Sequence, residues 1–293
     1  DRISLIRQFA CQNINASVFD IPNVSSIGTY AFYNNSYVNT VLTSKLRVVS
    51  SYAFYNCKNL ENIDLSPVLY ISANAFESTN LSSSLTLSYL VYMTDCAFMH
   101  CDSLPSVALS YYDRPVSYST FYHCSVLSEF YAPFATAVNS SAFNQCSRLT
   151  KCNIITAWTI SSYAFVGCMN LSSIAFGAQR NAPVTIGAYA FSGCQKLHDV
   201  YICNRISGSG TIGSYAFSGC QSLSNLYILS PSYVALSGST AFRNTPISSS
   251  YTGYGSIYVP ESLYDSYISG SYWSYFSDRF VSLTSSEVDA VFD

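Results

Sequence analysis

Ile212-Gly213-Ser214-Tyr215-Ala216-Phe217-Ser218-Gly219-Cys220-Gln221-Ser222-Leu223-Ser224-Asn225-Leu226-Tyr227-Ile228 is one unit of a pattern that recurs along the whole chain. The unit is anchored on Phe217. Further anchors stand at Phe32, Phe54, Phe76, Phe98, Phe121, Phe143, Phe165, Phe191 and Phe242, giving intervals of 22, 22, 22, 23, 22, 22, 26, 26 and 25 residues. A period of about 20 to 50 residues marks a solenoid, in which each coil buries its apolar side only against its neighbours.

Counted from the phenylalanine, apolar residues stand at +3, +6, +9 and +11. They are Cys220, Leu223, Leu226 and Ile228 in the quoted unit, and Cys57, Leu60, Ile63 and Leu65 or Cys168, Leu171, Ile174 and Phe176 in others. Another apolar residue stands at −5: Ile27, Val49, Ile71, Met93, Val116, Val138, Ile160, Ile186 and Ile212, with Ser237 breaking the rule in the last copy. The +9/+11 pair has strand spacing, with both side chains on one face. The stretch from Phe to Leu is too short for a regular helix and rich in Ser, Asn and Gly, so a turn or short 3₁₀ segment is expected. In two copies Thr79 and Thr245 replace the cysteine and the next apolar residue, Leu81 or Ile247, comes one position early, which reads as an alternative turn.

The expected fold is a repeat solenoid. It is a leucine-rich-repeat-like, right-handed coil of about ten repeats of 22–26 residues plus caps, with one short parallel strand per coil on one face and turns or 3₁₀ segments on the other. Residues 1–26 read as an N-terminal cap made from an eroded repeat, with Cys11 and Ile14 keeping the three-residue offset. Residues 27–255 are the solenoid, 256–283 a C-terminal cap and 284–293 a tail. Within the cap, residues 261–269 suit a short amphipathic helix carrying Leu263 and Tyr267 inward, with Trp273 and Phe276 closing the core. Caps are needed because a solenoid's terminal strands would otherwise present open edges.

Composition agrees. Of 293 residues, 49% are apolar and only 10% charged, which supplies a long narrow core; the net charge is −3 with the 13 Lys and Arg scattered singly. That distribution argues against nucleic acid and anionic membrane surfaces as partners. No run approaches the roughly 20 apolar residues of a membrane span. The chain opens at Asp1 with no leader visible, and a leader is expected to have been removed beforehand.

Seven of the 11 cysteines share the +3 position: Cys57, Cys101, Cys124, Cys146, Cys168, Cys194 and Cys220. Equivalent residues on stacked coils lie about 4.8 Å apart with parallel Cβ directions, whereas a disulfide needs Cβ atoms at roughly 3.8 Å pointing towards each other. A buried ladder of thiols acting as small hydrophobes is expected. Cys11, Cys96, Cys152 and Cys203 lie off the ladder, and one bridge between Cys152 and Cys203, both near strands, remains open at this point.

The pattern resembles the BspA-like class of leucine-rich repeat proteins, found on bacterial surfaces and in some protists. The resemblance rests on Ile-Gly-x-Tyr-Ala-Phe-x-x-Cys-x-x-Leu units at Ile186 to Leu197 and Ile212 to Leu223, and spans about residues 10 to 283. Gly255-Ser256-Ile257-Tyr258-Val259-Pro260, followed by Leu263, Tyr267, Trp273 and Phe276, is similar to the terminal unit of such proteins in gut Firmicutes and their prophages. The early repeats around Phe32 and Phe76 are degenerate, and the charge content is low. The resemblance implies an extracellular or cell-surface location, adhesion and host-protein binding.

His100-Cys101 and His123-Cys124 occupy identical positions in adjacent repeats. The composition is zinc-like, but the cysteines belong to the buried ladder and the histidines should point outward, so an exposed histidine pair is expected, with no metal or cofactor. His198 precedes Asp199, yet adjacent strand residues face opposite ways, which argues against a His–Asp catalytic pair. No phosphate loop, carboxylate pair or HExxH segment appears, and no enzyme is expected. The Asn-x-Ser sequons at Asn15, Asn23, Asn34, Asn80, Asn139 and Asn170 could accept glycans in a eukaryotic secretory protein.

The candidate ligand-binding surface is the strand face. Residues at +8 and +10 flank the buried +9 residue and should face the concave side, with Glu129 beside Lys151 and Tyr201 beside Tyr227, near Tyr131, Asp199 and Asn225. Such a surface suits an extracellular protein or glycan, although lateral tyrosines also stabilise parallel sheets on their own. The leading reading is a monomeric, non-catalytic, surface or secreted binding and adhesion module. A receptor-binding or structural segment of a phage-tail or cell-wall assembly, and a rigid spacer, are the alternatives.

Overall fold

The computed structural model describes residues 4–178, 182–204, 208–248 and 254–291. It is a stack of coils whose strands pair in parallel with the coil before and after, residue for residue at the repeat interval. The phenylalanine rhythm sets that register. The anchors are fully buried and their rings stack from coil to coil, 4.8 Å apart at Phe32–Phe54 and 5.3 Å at Phe191–Phe217.

One expectation is corrected. Every coil except the one anchored on Phe121 contributes two strands. The strand around +9 is joined by a second one that ends at the −5 residue, as in Ser26–Ile27, Val48–Val49, Tyr70–Ile71 and Tyr92–Met93. These second strands are mostly two residues long, below the length at which alternation is visible in a sequence, so they read there as single apolar positions. The exception at Ser237 also disappears: Leu236 pairs with Ile212 and takes the buried place one residue earlier.

The corner between the two strand lines is a turn flanked by left-handed residues two before and two after the anchor, such as Tyr215 (φ 57°) and Gly219 (φ 76°) around Phe217; at Phe242 only the later one, Asn244, is left-handed. Each ladder cysteine sits just past this turn. The thiols donate to the phenylalanine carbonyl of the preceding coil, from Cys57 to Phe32 at 3.0 Å through Cys220 to Phe191 at 3.1 Å. The two threonine copies satisfy the carbonyl of their own coil instead, Thr79 Oγ1 to Phe76 O and Thr245 Oγ1 to Phe242 O, each at 2.8 Å. The alternative turn is therefore an exchange of a bond between coils for a bond within one.

The second strand line is interrupted once, between Tyr92–Met93 and Ala137–Val138, where Val116 keeps only an isolated bridge to Val138. The cause is Pro115. In neighbouring coils the residue at this place donates its N–H to the coil before, as Tyr92 does to Leu69 at 3.1 Å, and proline has no N–H to give.

The ends differ. At the C-terminus, Ser256–Pro260 and Phe280–Leu283 extend the first strand line, and Glu261–Leu263 and Tyr264–Ser269 form the short helical segment. Trp273 and Phe276 are buried against Phe242, with Tyr267 buried against Trp273, and together they end the aromatic stack. The Val234 N–H donates to the Tyr267 hydroxyl at 2.9 Å and the Trp273 indole donates to the Val234 carbonyl at 2.8 Å, so the cap satisfies the last strand of the second line with side chains. Residues 285–290, within the segment expected as a tail, form a helix opened by a capping box from Thr284 and Glu287; residues 292 and 293 lie outside the described range. At the N-terminus, Leu5–Ile6 and Val18–Asp20 start the two strand lines, Cys11 is buried in the place of an anchor, and Leu5, Phe9, Ile14 and Val18 are exposed.

Candidate functional site

The first strand line presents its +8 and +10 side chains to solvent because +9 is held inward. In Glu129–Tyr131, Phe130 is buried between two exposed neighbours, and the same alternation holds through Asp199–Ile202 and Asn225–Ile228. All seven sequence-derived residues sit on this outward surface. Lys151 pairs with Glu129 at Nζ–Oε1 2.8 Å, both exposed.

The aromatic part is longer than the sequence reading. Tyr201 and Tyr227 stack at 4.7 Å and 6°, and Tyr227 stacks on Tyr258 at 4.4 Å and 9°. In the sequence Tyr258 belongs to the terminal unit, yet it occupies the same row in the next coil. Rings stacked this closely cover one another's faces and offer their edges and hydroxyls outward. Tyr201 ends the stack, since its register neighbour on the other side is Ala175. Burial raises the Tyr227 phenol to about 12, helped by the neighbouring Tyr258 and Tyr201. Burial and then Asp199 raise that of Tyr201. Tyr201 and Tyr227 thus present neutral hydroxyls at neutral pH.

Beside the tyrosines lies a polar relay that corrects the argument from strand alternation. His198 Nδ1 lies 3.0 Å from Asp199 Oδ1, and His198 Nε2 lies 2.8 Å from Ser224 Oγ. The strand begins only at Asp199, so alternation does not govern His198 and its ring turns back onto its neighbour. Asn225 donates to Asp199 at 2.7 Å and accepts from the Tyr258 hydroxyl at 3.5 Å. Ser, His and Asp are in triad order, but Ser224 is only 8% exposed and its N–H is already bonded to the His198 carbonyl at 3.1 Å. An attacking hydroxyl needs access and a pair of free donors for the oxyanion; this relay instead braces the polar border of the tyrosine row across three coils.

Between the two groups the first strand line breaks, after Lys151–Asn153 and before Ser173–Phe176. A groove of about 680 Å³ opens there, bounded by Glu129, Tyr131, Lys151, Asn153, Ser173 and Ala175. Tyr131 is 46% exposed. Along the +10 row the order is Tyr131, Asn153, Ala175, Tyr201, so two aromatic residues stand on either side of a floor of smaller ones. Sequence reasoning placed the residues and missed the groove, because a break between strands leaves no mark in a continuous repeat.

The zinc-like His/Cys set is not assembled. The Cys101 and Cys124 thiols point inward to the Phe76 and Phe98 carbonyls, both at 3.1 Å, while the His100 and His123 rings meet outside at 5.0 Å. No disulfide forms among the described residues, Cys152 and Cys203 included. Burial pushes the Cys57 and Cys101 thiols up to about 12.

The model of the BspA type leucine rich repeat region matches this chain in six copies, over residues 4–127, 69–198 and 184–268. The chain belongs to the BspA-type leucine-rich repeat family. Among solved structures, this BspA-type chain is similar to a leucine rich cell surface protein from Faecalibacterium prausnitzii A2-165, with 20% identity over 98% of this chain and 85% of that one and a TM-score of 0.45. A leucine-rich repeat protein from Eubacterium ventriosum ATCC 27560 shares 21% identity over 78% and 64% of the two chains, with a TM-score of 0.48. The pneumococcal vaccine antigen PcpA shares 15% over 91% and 77%, with a TM-score of 0.47. Among curated proteins there is no match. No helix among the described residues is long and apolar enough to cross a membrane.

Proposed function

We propose that this BspA-type chain is a non-catalytic binding module, secreted or displayed at a cell surface, that acts as a monomer and holds an extracellular protein or glycan on its first strand line. The observation that carries the reading is the outward +10 row, in which exposed Tyr131 and the Tyr201–Tyr227–Tyr258 stack stand on either side of the groove floored by Asn153 and Ala175. Rigid aromatic edges and hydroxyls contribute contact area at low entropic cost. The charged pair Glu129–Lys151 and the Asp199–Asn225 relay supply directional polar partners along the rim.

The test is a glycan and extracellular-matrix array probed with wild type and a Tyr201→Ala/Tyr227→Ala variant. Wild type should show a selective signal that the variant loses. Equal signals from both would overturn the choice of face. No signal from wild type would favour a rigid spacer.

A further inference from the structure

The chain has three histidines, and the coil register brings two of them together with a carboxylate that sequence reading did not connect to them. His100 and His123 stand two residues after consecutive anchors, and Asp102 stands four after the first. One nitrogen from each imidazole and a carboxylate oxygen of Asp102 all lie within 4.8 Å of one another, and His123 Nδ1 is 3.5 Å from Asp102 Oδ1. We propose that His100, His123 and Asp102 bind a borderline divalent transition metal, zinc first among them, on the turn edge of the solenoid.

The donor set suits that class of ion. Two neutral imidazoles and one carboxylate match zinc, nickel and copper, while calcium and magnesium call for all-oxygen cages. Metal–ligand bonds of about 2.0–2.2 Å place tetrahedral donors roughly 3.3 Å apart. The present spread closes to that by side-chain rotation, since His123 and Asp102 are both about half exposed. The backbones are already set: both histidines hold the left-handed conformation that every coil adopts at this place, φ 57° and 61°. Asp102 is itself positioned from the next coil, accepting from Ser125 N–H at 3.4 Å and Ser125 Oγ at 3.2 Å through Oδ1. Such outer partners orient a ligating carboxylate, and the same Oδ1 faces His123. The nearest cation along that row, Lys58, stands two coils away, about 10 Å at the coil spacing and close to a Debye length in physiological salt. Three protein donors leave at least one position for water or for a donor from another molecule.

The experiment is calorimetric titration of the native protein with zinc chloride. The variants are His100→Asn and His123→Asn, chosen because Asn34, Asn56 and Asn244 fill the same left-handed position in other coils, so that these replacements fit the turn. His198→Ala serves as the control, because His198 and Asp199 form the other His–carboxylate contact among the described residues. Wild type should take up one equivalent of zinc, and more weakly on acidification because protons and metal compete for imidazole nitrogen. Either asparagine variant should weaken uptake by at least about tenfold, and the His198 control should leave it unchanged. No stoichiometric uptake by wild type, uptake unaffected by His100→Asn and His123→Asn, or uptake lost in the His198 control would each overturn the assignment.

Discussion

The coils anchored on Phe32 to Phe143 and those anchored on Phe165 to Phe217 share one interior and differ in what they show to solvent. The first group repeats every 22 or 23 residues; the second repeats every 25 or 26. Inside, the two are alike: Phe76–Phe98 stack at 5.3 Å and Phe191–Phe217 at 5.3 Å, and the same thiol-to-carbonyl bond runs through both. Outside, the short coils carry first-line strands of two or three residues, and the long coils carry strands of four with the tyrosine stack beginning on them. The added residues fall between the +11 and −5 positions, after the first strand. They lengthen the connection and let the strand run one residue further, through the +11 position, which is buried in both groups, at Leu65 and Leu109 as at Phe176, Ile202 and Ile228. The core tolerates either period because it is defined coil by coil. The surface changes because strand length decides how much of it is flat and ordered.

The sharpest way to break this comparison is to cut the shared interior in each region. Phe98→Ala and Phe191→Ala remove equivalent stacked rings, and each should cost about 3–5 kcal/mol, read as a fall in the urea midpoint. Similar losses support one common core. A loss in Phe191→Ala below half that in Phe98→Ala would mean that the long coils are held mainly by their strands and cap.

A medium effect probes the thiol ladder. The Cys101 thiol is held protonated by burial, with its titration raised to about 12, whereas in the unfolded chain it ionises near 9. The folded state keeps its full advantage below pH 9 and loses it as pH rises towards 12, because only the unfolded chain gains from ionising. At pH 10 the loss is about 1.4 kcal/mol for this thiol. Cys101→Ala should therefore lose less stability between pH 7 and pH 10 than wild type, measured by denaturant unfolding at both values. Equal losses would show that this thiol titrates as it does in water.

The smallest effect concerns the surface of the short coils. Lys151→Ala breaks an exposed ion pair and should change stability by less than about 1 kcal/mol, and by less still at high salt. The same change should alter ligand binding if the groove beside it is used. A stability loss above 2 kcal/mol would instead make the pair part of the framework of the sheet break.

The sequence carried the repeat very well and its corners poorly. Cysteines at one fixed offset predicted unbridged thiols, and the structure explains them further through the carbonyl each one meets. The second strand line was invisible because two-residue strands leave no alternation to read. Tyr258 was hidden by its place in a terminal unit that no longer follows the anchor count. His198 and Asp199 were kept apart by a rule that applies inside a strand, whereas His198 stands just before one. The sequence does not link Asp102 to the two histidines, because a turn, unlike a strand, sets no simple facing pattern.

What the sequence determined by itself is therefore the register: which residue of each coil lies over which residue of the next, and so the buried phenylalanines, the thiol ladder and the outward row from Glu129 to Tyr227. That follows because a solenoid's contacts lie one period apart, and the period is written in the chain. The tertiary structure alone decided the features across or between coils: the split at Pro115, the groove after Asn153, the Ser224–His198–Asp199 relay, and the meeting of His100, Asp102 and His123. Those depend on side-chain directions at turns and strand ends, where the backbone leaves the regular pattern and the repeat no longer predicts which way a residue points.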